Sequence, residues 1–161
     1  MVHTTKEMQR AELHKTIWRI ANDLRGSVDG WDFKTYVLGM MFYRFISENL
    51  TDYINEGEWK TGDADFDYCN LGYADARGIF KEMVAEKGFF IFPSDLFVNV
   101  RARAAQDENL NETLEGVFRN IEGSAAGTPR ERALKGRFAA FGVTWPAKRA
   151  VAVTQLSLPP P

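Results

Sequence analysis

Arg130, Arg132, Lys135 and Arg137 are the residues of this 161-residue chain whose type and spacing best suit a chemical task. Four cations within eight positions can contact phosphates, which gives an affinity that falls with salt and carries no choice of base sequence. Together with Lys148 and Arg149 they face only Glu131 between Thr128 and Ala150. The opposite holds between Glu48 and Asp75, where Glu48, Asp52, Glu56, Glu58, Asp63, Asp65, Asp67 and Asp75 face Lys60 alone. A net charge of -2 therefore conceals one stretch that repels phosphate and one that attracts it. The competing reading of each of the four cations is an ordinary solvated helix face.

Other chemistries find little support. His3 and His14 are the only histidines, and Cys69 is the only cysteine, so neither a Ser-His-Asp nor a Cys-His set can be assembled. His14 reads as a polar flank of a helix, and Cys69 as a packed or half-exposed thiol. Asp63, Asp65 and Asp67 alternate as in a calcium loop. The sixth position of that loop would be Tyr68 and the twelfth Ala74, where calcium needs a glycine and a bidentate glutamate, so no metal is expected. Gly123-Ser124-Ala125-Ala126-Gly127 is no phosphate loop, since no Gly-Lys-Ser or Gly-Lys-Thr occurs anywhere in the chain, and it reads as a hinge or turn.

The elements that must position these residues are helical. A hydrophobic fraction of 45% and an aromatic fraction of 13% suit a packed domain, and no apolar run approaches the roughly 20 residues that span a bilayer. The N-terminus has no apolar signal core, and with a lone cysteine this points to the cytoplasm. Leu13, Ile17, Ile20 and Leu24 fall on one face of a helix from about Thr5 to Leu24, with Trp18 and Ala21 widening that face and Gly26 stopping it. Asp32 is placed to cap a second, central helix in which Phe33, Val37, Leu38, Met40, Met41, Phe42, Tyr43, Phe45 and Ile46 are apolar around most of the circumference. Arg44, embedded in that run, must find a partner or reach the surface: a structural ion pair or a snorkelling side chain is the first reading, a contact to a partner or to DNA the second.

Trp59 to Leu71 reads as an irregular acidic loop. A third helix spans Tyr73 to Glu86, with Ile79, Phe80, Met83 and Val84 inward and Lys87-Gly88 closing it. Phe89 to Phe92 is a short extended piece able to pair as a small strand before Pro93. Ser94 is placed to cap a fourth helix through Leu96, Phe97, Val100 and Ala104. Leu110, Leu114, Val117, Phe118 and Ile121 carry a fifth, and Thr128-Pro129 starts a sixth with Ala133, Leu134, Phe138 and Phe141. The expected architecture is all-α: a compact domain of about six helices over residues 1–141, with at most one short strand or hairpin. Beyond Gly142 the composition changes, ending in Pro159-Pro160-Pro161, and residues 142–161 read as an appended, non-homologous tail left by truncation or a frameshift.

Several blocks, in order, carry a resemblance to a known family. They are Leu13-x-x-x-Ile17-Trp18, Arg25-Gly26-x-Val28-Asp29-Gly30-Trp31-Asp32-Phe33-Lys34, Tyr36-Val37-Leu38-Gly39-x-x-Phe42-Tyr43-Arg44-Phe45-Ile46-Ser47-Glu48, Phe89-Phe90-Ile91-Phe92-Pro93-Ser94 with Phe97, and Ile121-Glu122-Gly123-Ser124-Ala125-Ala126-Gly127. From Glu12 to Phe141 the sequence resembles the N-terminal helical domain of the modification (methyltransferase) subunit of type I restriction-modification systems, the HsdM family. The resemblance implies a full subunit that methylates adenine at N6 with S-adenosylmethionine. It implies as partners DNA, a specificity subunit that reads the target, a second modification subunit and a motor-nuclease subunit. For the N-terminal domain it implies DNA clamping, a part in sensing methylation state, and subunit contact.

The family's glycine-containing cofactor motif and its Asn-Pro-Pro-Phe motif do not occur here, and methyl transfer to a flipped adenine needs both a cofactor cleft and acceptors for the adenine amine. This segment is accordingly expected to be inactive alone, with no catalytic, cofactor-binding or metal-binding residue of its own. Two functions then compete: a DNA-associated domain using Arg130, Arg132, Lys135 and Arg137, or a purely structural subunit-interaction module with no direct DNA contact. The second predicts a sizeable exposed apolar surface and self-association in isolation. A stand-alone enzyme is a distant third.

Overall fold

The computed structural model describes residues 2–23 and 30–138; the side chains of 2–6, 9, 20, 21, 23, 30–36, 136 and 137 lie outside that description. Six α-helices follow one another in the described residues: α1 Val2–Asp23, α2 Gly30–Thr61, α3 Tyr73–Lys87, α4 Phe97–Arg103, α5 Leu110–Ser124 and α6 Glu131–Phe138. Two 3₁₀ turns, Tyr68–Asn70 and Pro93–Asp95, sit in the connections on either side of α3. The fold is all-α, as the periodicities predict. The stop at Gly26, Leu24 and Phe141, and the tail 142–161, lie outside the described residues.

The long helix α2 is the spine. Val37, Met40, Tyr43, Ile46, Leu50 and Ile54 recur at three- and four-residue spacing and are all buried, which makes one continuous inward face. Tyr43 sits at its centre, edge-on to Phe97 at 5.5 Å and to Phe118 at 5.3 Å, and its hydroxyl donates to the Asp95 carbonyl. Aromatic edges meeting ring faces in this way add to the stabilisation from burial alone. Ser47, also buried, accepts the Phe97 amide hydrogen at 3.2 Å and so ties the start of α4 to α2.

Several expectations change. The helix is not apolar-packed on all sides, because Leu38 and Phe45, seven residues apart, are 58% and 61% exposed. Trp18, 65% exposed, does not widen the inner face of α1; buried Thr16 lies with half-buried Leu13 and Ile17, and Trp18 is a further 100° round the helix. Asp32 is not a cap, since α2 already begins at Gly30.

The acidic loop begins later than the sequence suggests. α2 continues through Glu56, Glu58 and Trp59 to Thr61, because Ile54 and Asn55 are buried and the Asn55 side chain accepts the Tyr68 amide hydrogen at 2.8 Å. Gly62, at φ +112°, then reverses the chain. Asp67, one of the three alternating aspartates, caps the first 3₁₀ turn by accepting the Cys69 amide hydrogen, and also accepts from the Asn70 side chain.

Phe89 to Phe92 does not pair as a strand. Side chains meet its backbone needs instead: the Ser124 hydroxyl accepts the Phe90 amide hydrogen at 2.8 Å, and the Tyr68 hydroxyl donates to the Ile91 carbonyl at 2.7 Å. With these polar groups satisfied locally, no partner strand is required. The rings of Phe80, Phe90 and Phe92 pack together beneath Tyr73, which stacks on Phe92 at 4.8 Å. Ser94 does not cap α4; the Ser94 hydroxyl turns to Asp95, and Leu96 occupies the cap position without a side-chain bond. α5 follows its pattern fully, with Leu110, Leu114, Val117, Phe118 and Ile121 all buried.

Arg44 takes the expected solution for a charge in an apolar helix. Its Nε lies 2.6 Å from Glu48, and its guanidinium reaches over the Phe97 ring at 6.0 Å.

Candidate nucleic-acid interface

The basic stretch is built on α6 and the turn before it. Leu134 and Phe138, four residues apart, are buried, and Phe138 stacks flat on Phe118 at 4.5 Å and lies 5.7 Å from Phe42. That anchor fixes which side of α6 meets the core and leaves its charged side outward. Ala133, expected with the apolar set, is exposed. The helix also starts two residues later than Pro129: Thr128 accepts the Arg130 amide hydrogen through its hydroxyl at 3.2 Å and the Glu131 amide hydrogen through its carbonyl.

The four predicted cations are not equivalent. Arg132 is exposed and makes no ion pair among the described residues. Lys135 lies 2.6 Å from Glu131, whose carboxylate also accepts the Gly127 amide hydrogen at 2.8 Å. This pairing lowers the Glu131 carboxyl below its ordinary value and raises Lys135, so the lysine charge is already partly answered. Glu122 is a further carboxylate near Lys135, with a carboxyl raised by burial against that lysine's opposing pull. The Arg137 side chain lies outside the described residues.

Arg130 is placed by a glycine. Gly88 closes α3 at φ +80°, and a Cβ there would come within 2.8 Å of the Arg130 side-chain Cγ. The aliphatic stem of Arg130 thus rests on the end of α3. Around this contact a groove of ≈ 390 Å³ runs along α3 and the turn before α6, lined by Lys81, Lys87, Gly88, Thr128 and Arg130 among others. Lys81 and Lys87 were not legible as site residues, because they lie more than forty positions before Arg130 and only packing unites them. The one local hint is Gly88, whose left-handed end to α3 permits the close approach.

Other candidate chemistry is dispersed. His14 is exposed on α1, and no cluster of three or more metal-ligating side chains is present among the described residues. Cys69 is half-buried, and burial followed by the nearby Asp67 charge pushes its thiol up, away from the reactive thiolate. A second groove of ≈ 220 Å³ holds Arg44 and Arg101, but Glu48 and Asp52 line it as well and balance its charge. No helix of the described residues is long and apolar enough to cross a membrane.

Fold and site together define an all-α domain with one basic edge and an outward apolar strip on its long helix. The family model described as the HsdM N-terminal domain matches residues 13–145, and the chain belongs to that family. It is 45% identical over 143 residues to the Type I restriction enzyme MpnII methylase subunit of Mycoplasma pneumoniae (strain ATCC 29342 / M129 / Subtype 1), an alignment covering 84% of this chain. The chain spans 26% of that relative's length. No solved structure is matched.

Proposed function

We propose that this chain serves a DNA adenine-N6 methyltransferase subunit as its N-terminal domain, meeting duplex DNA through phosphate contacts from the α6 edge and contacting neighbouring subunits. The observation that carries the reading is the 45% identity to a type I methylase subunit over 84% of the chain. Methyl transfer and S-adenosylmethionine are assigned to the remainder of a full subunit, and target choice to a specificity subunit. A second modification subunit and a motor-nuclease subunit complete the proposed set of partners. The domain alone is assigned no catalysis; its contribution is clamping and a part in sensing methylation state.

Within the edge, Arg130 and Arg132 are the stronger phosphate contacts, since Lys135 is held by Glu131. The test is duplex-DNA binding across a salt titration. Affinity should fall as salt rises and should weaken in Arg130→Gln/Arg132→Gln, while Lys135→Gln should matter less. Binding that is indifferent to salt, or absent at low salt, would remove the DNA-contacting role.

A second reading has its own support. Leu38 and Phe45 share the outward strip of α2, as an interaction module would require. If it is correct, Leu38→Ser/Phe45→Ser should abolish assembly with a modification-system subunit and leave DNA binding intact.

A further inference from the structure

We propose that the groove between α3 and the turn before α6 is a seat for a backbone phosphate of duplex DNA, formed by Lys81, Lys87 and Arg130. The inference rests on the DNA-contacting reading and adds to it two lysines that are remote in sequence. Lys81, Ala85 and Gly88 share one face of α3, so Lys81 projects from the helix roughly 10 Å before the point where Arg130 lies across Gly88. Lys87 borders the same groove, with its ammonium held 3.3 Å above the Tyr53 ring centre. Lys81 and Arg130 make no ion pair among the described residues.

The groove lining carries one carboxylate, Glu86, against these three cations. The Glu86 carboxylate, which lines the groove, accepts the Tyr53 hydroxyl at 2.6 Å. The Gly88 carbonyl, at the negative end of α3, lies 2.8 Å from the Thr128 hydroxyl. Three cations thus border an open groove whose lining holds a single carboxylate. A phosphodiester meets that chemistry, being anionic, rich in acceptors and able to lie along an exposed channel.

The decisive experiment compares the salt dependence of duplex-DNA binding for the unaltered chain, for Lys81→Gln/Arg130→Gln, and for Lys60→Gln as a charge-matched control in the acidic stretch. Lys87 is left in place so that its contact with Tyr53 survives, and thermal melts confirm folding. Removing one seated phosphate should lower the slope of log affinity against log salt by about 0.9, with no change for Lys60→Gln. An unchanged slope in the double variant, with the unaltered chain still binding, overturns the seat and leaves the broader DNA reading standing. Absence of binding by the unaltered chain at low salt overturns both. Displacement of DNA by inorganic phosphate, beyond that caused by chloride of equal ionic strength and lost in the double variant, is the further result expected of a groove that seats a DNA phosphate.

Discussion

The phenol of Tyr68 donates to the carbonyl of Ile91 at 2.7 Å, and both residues are buried. This bond fastens the loop after α2 to the extended piece after α3. Tyr68→Phe removes only the hydroxyl and leaves the Ile91 carbonyl without that donor. The expected cost is about 1–3 kcal/mol, read as a lower denaturation midpoint in urea with an unchanged slope.

The same tyrosine gives the domain an alkaline limit. Burial raises the phenols of Tyr68 and Tyr43 above the ordinary value of 10.0, with the Asp95 charge adding to the effect at Tyr43. The folded chain therefore retains protons that the unfolded chain releases. Stability is complete below the ordinary phenol range and declines as pH rises through and beyond it. Melting temperatures should fall in that window, and the fall should be shallower for Tyr68→Phe.

Two glycines separate backbone strain from crowding. Gly127 has φ +79° and open space at its Cβ position, so Gly127→Ala should cost only the left-handed penalty of about 1–2 kcal/mol. Gly88, at φ +80°, adds the close approach of Arg130. Gly88→Ala should be the more destabilising, and truncating Arg130 to alanine in that background should recover the excess. Thermal denaturation of the unaltered chain, Gly88→Ala, Arg130→Ala and the double variant, read as a double-mutant cycle, measures the coupling.

Phe118 joins α2, α5 and α6. It stacks on Phe138 at 4.5 Å and meets Tyr43 edge-on at 5.3 Å. Phe118→Ala should cost about 3–5 kcal/mol through lost burial and the cavity left behind, measured by chemical denaturation. The loosening should release α6 first, seen as faster amide exchange from Glu131 to Phe138 than in α5.

Helical periodicity and residue type determined much of this protein. Leu110, Leu114, Val117, Phe118 and Ile121 prescribe α5 because three- and four-residue spacing puts them on one face, and all five are buried. Lys87-Gly88 likewise marks the end of α3, since a glycine takes the left-handed conformation that follows it at little cost. Arg44, with Glu48 four residues on, carries its own ion pair in the sequence. The ordered blocks from Leu13 to Gly127 were enough for the family, which the match over residues 13–145 establishes.

Only the tertiary structure decided what depends on partners distant in the chain. Phe89 to Phe92 looks like a strand because its residues favour extension, yet Ser124 and Tyr68 supply the hydrogen bonds that a neighbouring strand would have given. Trp59 looks like loop beside so many acids, yet buried Ile54 and Asn55 hold the helix together up to Thr61. Leu38 and Phe45 look like core, and Trp18 like part of an inner face, because hydropathy records that a side chain is apolar but not whether anything packs against it. The basic edge shows the same division: Arg130, Arg132 and Lys135 are visible as a run of charge, and Glu131, four residues before Lys135, offers its ion pair within α6, but only helix docking brings Arg130 to one groove with Lys81 and Lys87. A local pattern fixes which residues can share a face; packing alone decides which faces meet and which charges remain open to a ligand.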